Sequence, residues 1–301
     1  MSAAAAAVPS AARALAISRS ITAMRAARKS MPPNATVGFV PTMGALHDGH
    51  LSLVKEARSQ NDIVVASIFV NPTQFGKGED LDKYPRQLER DSELLSIMGV
   101  DHLFAPEADA MYGKNHVTYV DPTGFDDIAE GRSRPGHFRG VATVVTKLFN
   151  IIQPTNAYFG QKDAAQCVLI RRVVEDLNMD LKVCVMDTIR EEDGLAMSSR
   201  NAYLSPEERR AAPVVYKSLC AAREVYQSKK DAGELPMSAS MLSETVSNLL
   251  NSEPLVSEVQ YASVDNRATF QPLTEVGDEG AVVSVACKVG SGVRLIDNIV
   301  L

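Results

Sequence analysis

Between Thr36 and Ala105 the chain alternates between two hydrophobic periods, and this alternation constrains the fold more than any other feature. Residues 36–40 are β-rich and end at Pro41. Residues 50–59 carry Leu51, Leu53, Val54 and Ala57 at helical spacing, and residues 62–70 form an apolar run that reads as a buried strand. A polar loop with Pro72, Gly76 and Gly78 follows. Residues 81–98 then return to a helical pattern with Gly99 placed as C-cap, and 101–105 is a further short strand. A β-α-β-α-β order implies a parallel sheet covered by helices, because parallel neighbours need a crossover between them. Right-handed crossovers put the strand C-termini along one edge, where ligands of open α/β sheets bind.

Helical spacing recurs at 141–152 and 163–177, and short apolar strands at 157–159 and 181–189. The C-terminal part differs. Ser205-Pro206-Glu207-Glu208 has Ser at the N-cap, Pro at the first turn and Glu at the third position, which starts a helix expected to run over 206–228. A second helix is expected over 237–251, followed by three strand-like runs at 259–265, 281–288 and 293–299. The expected architecture is α/β: a Rossmann-like parallel-sheet domain over 1–188, then a smaller α+β C-terminal domain over 189–301.

Composition narrows the partners. Lys and Arg total 31 against 37 Asp and Glu, a net charge of -6, with no Lys/Arg-rich block. A nucleic-acid binder needs a basic surplus to neutralise phosphates, so no nucleic acid is expected. No apolar run approaches the roughly 20 residues that span a bilayer, so no membrane partner is expected either. Cys167, Cys184, Cys220 and Cys287 show no CxxC spacing, which argues against a cysteine zinc site and for reduced thiols in an intracellular compartment, expected to be the cytoplasm with the mitochondrion as the alternative. Residues 1–47 contain no Asp or Glu but include Arg13, Arg19, Arg25, Arg28 and Lys29, a composition shared with mitochondrial transit peptides. The reading adopted is instead a disordered tail over 1–14 and a first helix over 14–28, with Leu15, Ile17, Ile21 and Met24 facing inward.

The segment Pro41-Thr42-Met43-Gly44-Ala45-Leu46-His47-Asp48-Gly49-His50 follows a strand and opens a helix. The first amides of a helix lack partners and face the positive end of its dipole, so a phosphate placed there gains hydrogen bonds. Gly44 and Gly49 let the backbone come close to it. His47 and His50 share a helical face and can donate to phosphate oxygens. A metal site or a plain surface pair are the competing readings, the first lacking a third ligand at suitable spacing. In Leu195-Ala196-Met197-Ser198-Ser199-Arg200-Asn201, two hydroxyls and a guanidinium suit a phosphate clamp, although a solvated loop would look the same in isolation. Lys162 in Gly160-Gln161-Lys162-Asp163 is a point charge between strand and helix, and the amides of Asn71, Gln74 and Gln166 suit a small polar substrate.

With the segments Phe69-Val70-Asn71-Pro72-Thr73-Gln74-Phe75, Asp82-Lys83-Tyr84-Pro85-Arg86, Arg134-Pro135-Gly136-His137-Phe138 and Arg294-Leu295-Ile296-Asp297-Asn298, these motifs resemble, in order, those of the pantothenate synthetase (pantoate–β-alanine ligase) family. That family lies within the His-x-Gly-His nucleotidyltransferase superfamily. The resemblance implies that pantoate attacks the α-phosphate of ATP to give pantoyl adenylate and pyrophosphate. β-Alanine then displaces AMP to give pantothenate. Magnesium accompanies the ATP, no protein metal site is implied, and the family suggests a homodimer. By resemblance His47 and His50 contact phosphates, with His50 the proton donor. Lys162 neutralises the α-phosphate, and Ser198, Ser199 and Arg200 hold the triphosphate. Gln74 and Gln166 bind pantoate. Met43, Gly160, Asp163 and Ile189 line the adenosine site, and Gly44, Ala45, Leu46, Asp48, Gly49, Gln161 and Met197 complete the nucleotide wall. The flap is the loop 76–82. The alternatives are an adenylyltransferase of the same superfamily acting on another small acceptor, a tRNA-binding synthetase-like protein and a non-catalytic interaction module.

Overall fold

Residues 14–301 are described by a computed structural model of the chain. The disordered-tail reading over 1–14 therefore falls, apart from Ala14, outside the described residues, whereas residues 14–47 of the acid-free segment are part of the folded chain. The N-terminal part is a six-stranded parallel sheet with strands β1 (Ala16–Ser18), β2 (Val37–Thr42), β3 (Ile63–Ile68), β4 (His102–Phe104), β5 (Asn156–Gly160) and β6 (Lys182–Met186). Their spatial order is β1-β4-β3-β2-β5-β6. The order reverses at β2, which pairs with β3 on one side and β5 on the other. That reversal opens a crevice at the strand C-termini, the natural ligand site of such a sheet.

Both faces of the sheet are covered, which is why the strands read as apolar runs. Helix α1 is Ile21–Ser30, α2 is Asp48–Gln60 and α3 is Leu88–Ile97; α4 (Ala108–Met111) and α5 (Ala129–Ser133) are short; α6 is His137–Ile152 and α7 is Ala164–Asp176. Val37, Phe39, Ile63 and Val65 enter one core with residues of α6 and α7. Val40, Val64 and Ala66 enter the other, with Leu53, Val54 and Leu95 of α2 and α3. This is the period of two expected of a pleated strand. Full burial of a valine, leucine or phenylalanine side chain here contributes roughly 1.5–3 kcal/mol.

The C-terminal part holds α8 (Pro206–Ala211), α9 (Val214–Asp231), α10 (Ala239–Asn251) and strands β7 (Met237–Ser238), β8 (Val256–Asp265), β9 (Glu275–Val276), β10 (Val282–Val289) and β11 (Val293–Val300). The order β11-β10-β8 forms an antiparallel sheet, and β7 pairs with β9. Leu219, Leu242, Val246, Val285 and Cys287 fill its own core. Among the described residues no helix is long and apolar enough to cross a membrane, and all four cysteines are free.

Three expected elements differ. The helix expected over 14–28 is a strand and a helix. β1 is the edge strand and pairs with β4, and Ser20 caps α1 by accepting from the Ala23 N–H at 3.1 Å. Ile17 is consequently exposed, while Met24 is fully buried. The helix expected over 81–98 begins only at Leu88, because the Pro85 ring and the polar loop before it do not propagate a helix. The helix expected over 206–228 breaks between α8 and α9 at Pro213, which lacks the N–H needed to continue α8.

Candidate active site

The cavity opens at the C-terminal ends of β2, β3, β5 and β6, under the segment 197–200. Its first wall is the turn from β2 into α2. Gly44 (φ 84) and Ala45 (φ 52) both take the left-handed conformation that reverses the chain there. The turn is held from below by Asp91 of α3, which is fully buried. The Ala45 and Leu46 amides donate to its two carboxylate oxygens at 2.7 and 2.9 Å, and the Gly44 amide donates to Thr42 Oγ1 at 3.1 Å. A carboxylate of the protein thus takes the amides at this turn, and the cavity-facing surface is left to His47, Gly49 and His50.

His47 is the N-cap of α2, and its ring centroid lies 4.0 Å from that of His50. A Cβ on Gly49 would come within 2.9 Å of the His47 ring, so glycine is what allows the imidazole to lie over the backbone. The His47 amide donates to His50 Nδ1 at 3.4 Å, which leaves the proton of a neutral ring on Nε2. Burial lowers the His50 pKa to about 3, helped by His47 and Lys162. Burial and then Lys162 lower that of His47 to about 4. Both rings are neutral near pH 7 and act as hydrogen-bond donors or acceptors rather than as cations.

The second wall is the short turn Pro72–Gln74 after β3. Asn71 is buried, and its Nδ2 donates to Gln74 Oε1 at 3.0 Å and to the Gly140 carbonyl at 3.2 Å. This sets the Gln74 carboxamide with its Nε2 free to donate into the cavity. His137 donates from Nδ1 to the Gln74 carbonyl at 2.9 Å and accepts from Arg134 through Nε2 at 3.1 Å. Burial, followed by the Arg134 charge, lowers its pKa to about 4, consistent with that neutral tautomer. A Cβ on Gly140 would collide with the Thr73 carbonyl at 2.3 Å, so α6 presses directly against this turn.

Lys162 and Asp163 follow β5 and face the cavity with Gln166 of α7. The segment 197–200 closes it from the C-terminal side, where Ser199 Oγ donates to the Ala45 carbonyl at 3.2 Å. Two arginines are engaged by the loop 76–82. Arg200 donates from Nε and Nη2 to Asp80 at 2.9 and 2.8 Å, and Arg134 donates to Glu79 at 2.9 and 2.6 Å.

The cavity therefore brings together Met43, His47, Gly49, His50, Gln74, Gly160, Lys162, Asp163, Gln166, Ile189, Met197, Ser198, Ser199 and Arg200. Gly44, Ala45, Leu46 and Asp48 shape the turn without lining it, and the Gln161 side chain points instead to Asn298. Among the described residues no third His, Cys, Asp or Glu joins the two histidines in a metal-holding group. Sequence reasoning missed Asp91 and the pairing of Asp80 with Arg200, and gave no role to Tyr84, which lines the cavity. Asp91 did leave a signal: it stands on the inward stripe of its helix with Leu88 and Leu95, where an acidic residue needs buried donors.

A doubly covered parallel sheet that offers two neutral imidazoles, a lysine and a serine–arginine loop to one crevice defines an ATP-using enzyme of the His-x-Gly-His nucleotidyltransferase class. The family profile of pantoate-beta-alanine ligase matches residues 16–300. The pantothenate synthetase of Thermodesulfovibrio yellowstonii is 48% identical over 266 residues, covering 88% of this chain and 92% of its own. That of Chloroflexus aggregans is 50% identical over 272 residues, covering 90% and 95%. The crystal structure of pantothenate synthetase from Thermus thermophilus superposes with a TM-score of 0.86 at 45% identity, covering 95% of this chain and 99% of that one. A pantoate-beta-alanine ligase structure from Francisella tularensis, complexed with beta-gamma ATP and beta-alanine, gives 0.77 at 35% identity, covering 95% and 98%. The chain belongs to the pantoate–β-alanine ligase family. Its activity is that of a ligase, the ATP-dependent condensation of pantoate with β-alanine.

Proposed function

We propose that this cavity carries both half-reactions. ATP enters as its magnesium complex, with its triphosphate on Ser198, Ser199 and Arg200 and its α-phosphate between His50, His47 and Lys162. Pantoate lies on Gln74 and Gln166. Its carboxylate oxygen attacks the α-phosphorus, the bond to the β-phosphate oxygen breaks, and pyrophosphate leaves. The deprotonated amine of β-alanine then attacks the acyl carbon of pantoyl adenylate, and AMP leaves with the bonding electrons. Neither attack has strong covalent demands on the protein, which supplies alignment and stabilises charge on the α-phosphate. Because His50 is neutral and Nε2-protonated, its role narrows from the proton donor implied by resemblance to a donor of a hydrogen bond. No group of three or more His, Cys, Asp or Glu side chains gathers among the described residues, so phosphates and water would carry most of the magnesium coordination.

The observation that carries this reading is the convergence on one crevice of His47 and His50 after β2, Gln74 after β3, Lys162 after β5 and Arg200 beyond β6. The Francisella tularensis structure with beta-gamma ATP and beta-alanine supports it. The test supplies ATP and magnesium and measures pyrophosphate and AMP. Pyrophosphate release should require pantoate, and AMP release should require β-alanine as well. Pyrophosphate release independent of pantoate would refute the assignment and favour another acceptor of the same superfamily.

The Arg200–Asp80 pair sets a competition, since the guanidinium proposed to hold the triphosphate already grips a carboxylate. Asp80→Asn is expected to lower the KM for ATP about tenfold, the equivalent of roughly 1.4 kcal/mol for a half-buried bidentate pair. A raised or unchanged KM in an ATP titration would count against this competition.

We also infer a homodimer in the cytoplasm, with the division between the two parts at residues 188 and 189. Val117 and Tyr119, 84% and 40% exposed at alternate positions, offer apolar surface that such a dimer could cover. Light scattering should give twice the chain mass of 32.5 kDa; the mass of a single chain would refute the dimer. The free cysteines suit a reducing compartment.

A further inference from the structure

The last strand of the C-terminal part contacts the turn that carries Lys162. Asn298 of β11 is 4% exposed, and its Nδ2 donates to the Gln161 carbonyl at 2.8 Å and to the Lys162 carbonyl at 2.9 Å. Its Oδ1 accepts from Gln161 Nε2 at 3.2 Å. Most of the hydrogen-bonding capacity of one carboxamide is therefore spent on a single three-residue turn, Gln161–Asp163. The carboxamide is itself held in place. The Asn298 amide donates to Asp297 Oδ1 at 2.8 Å, and the buried Asp297 carboxylate accepts two bonds from Arg190 at 2.5 and 3.0 Å. Arg190 in turn stacks 3.7 Å above the Tyr216 ring. This chain of contacts runs from α9 through β11 to the lysine.

We propose that Asn298 is a positioning residue for Lys162: it fixes the backbone from which the ammonium reaches the α-phosphate, without touching the nucleotide. The proposal rests on the role of Lys162 given above. A flexible four-carbon side chain can point almost anywhere, so the placement of its Cα decides where the charge acts. A displacement of about 1 Å is enough to cost on the order of a hundredfold in rate. The C-terminal part, which supplies Arg200 from its first loop, then contributes to the adenylation step a second time through its last strand.

Additivity tests this. Asn298→Ala, and the isosteric Asn298→Asp that fills the same space but loses both donated bonds, should each lower the turnover of pantoate-dependent pyrophosphate release by about thirtyfold. The KM for ATP should stay within about threefold. In a Lys162→Ala background the same substitutions should change turnover by less than about twofold, because the group they position is gone. Loss by the same factor in both backgrounds, or unchanged turnover in the single variants, overturns the proposal. If Lys162→Ala alone leaves turnover intact, the role of Lys162 falls and the proposal with it. Those results separate failure of the positioning idea from failure of the functional reading. Thermal unfolding of each variant identifies a general loss of fold, which would appear in both backgrounds alike.

Discussion

Lys162→Ala is expected to lower turnover by about two to three orders of magnitude while moving the KM for ATP by less than about threefold. The ammonium follows β5 and is close enough to both histidines to depress their pKa values. In the proposed reaction it stands where negative charge would grow on the α-phosphate as the pantoate oxygen approaches. A group that meets charge mainly in the transition state affects turnover, whereas the proposal leaves ground-state affinity for the triphosphate to Ser198, Ser199 and Arg200. Single-turnover pyrophosphate release measures this directly. Normal turnover in the variant, or a loss confined to KM, would contradict the assignment. Lys162→Arg should rescue little, because the planar fork of a guanidinium cannot occupy the position of a compact ammonium on the same short turn.

The second large effect is at His50. His50→Ala is expected to reduce turnover by about a hundredfold or more, since it removes the donor proposed for the α-phosphate and an acceptor from the His47 amide. His50→Gln should retain a larger share, within about tenfold to thirtyfold of the parent, because a neutral carboxamide still donates a hydrogen bond. This contrast separates the two roles of the ring. A proton transferred from His50 would make Gln as poor as Ala. A pKa lowered to about 3 means that the free enzyme holds this ring neutral throughout the range from about pH 5 to 8. An ionisation near 6.5 in the free enzyme that disappears in His50→Gln would contradict the buried neutral ring.

Much of the architecture was legible because its causes are local or periodic. The strands β2 and β3 announce themselves by apolar runs that are buried on both faces, and α6 and α7 by their spacing. The errors have two physical origins, one tertiary and one local. Residues 14–20 fit a helical stripe as well as a strand, and only the flank of β4 not taken by β3 makes a strand there worthwhile. The break at Pro213 and the late start of α3 were present as prolines, whose missing N–H interrupts a helix even when the apolar period continues through them.

The sequence by itself placed a strand–turn–helix with His47, Gly49 and His50 at the C-terminal ends of a parallel sheet, and the resemblance joined Gln74, Lys162 and Arg200 to it. Each of these motifs is carried by residues adjacent in the chain. Only the tertiary structure decided what holds them in place. Asp91 reaches the Ala45 amide across 46 positions, Asp80 reaches Arg200 across 120, and Asn298 reaches the Lys162 carbonyl across 136. Hydrogen bonds of this kind have no characteristic spacing. Hydrophobic periodicity states which face of an element is buried, but not which polar group meets a backbone amide on that face. That is decided when two elements pack, and each buried donor or acceptor must then find a partner.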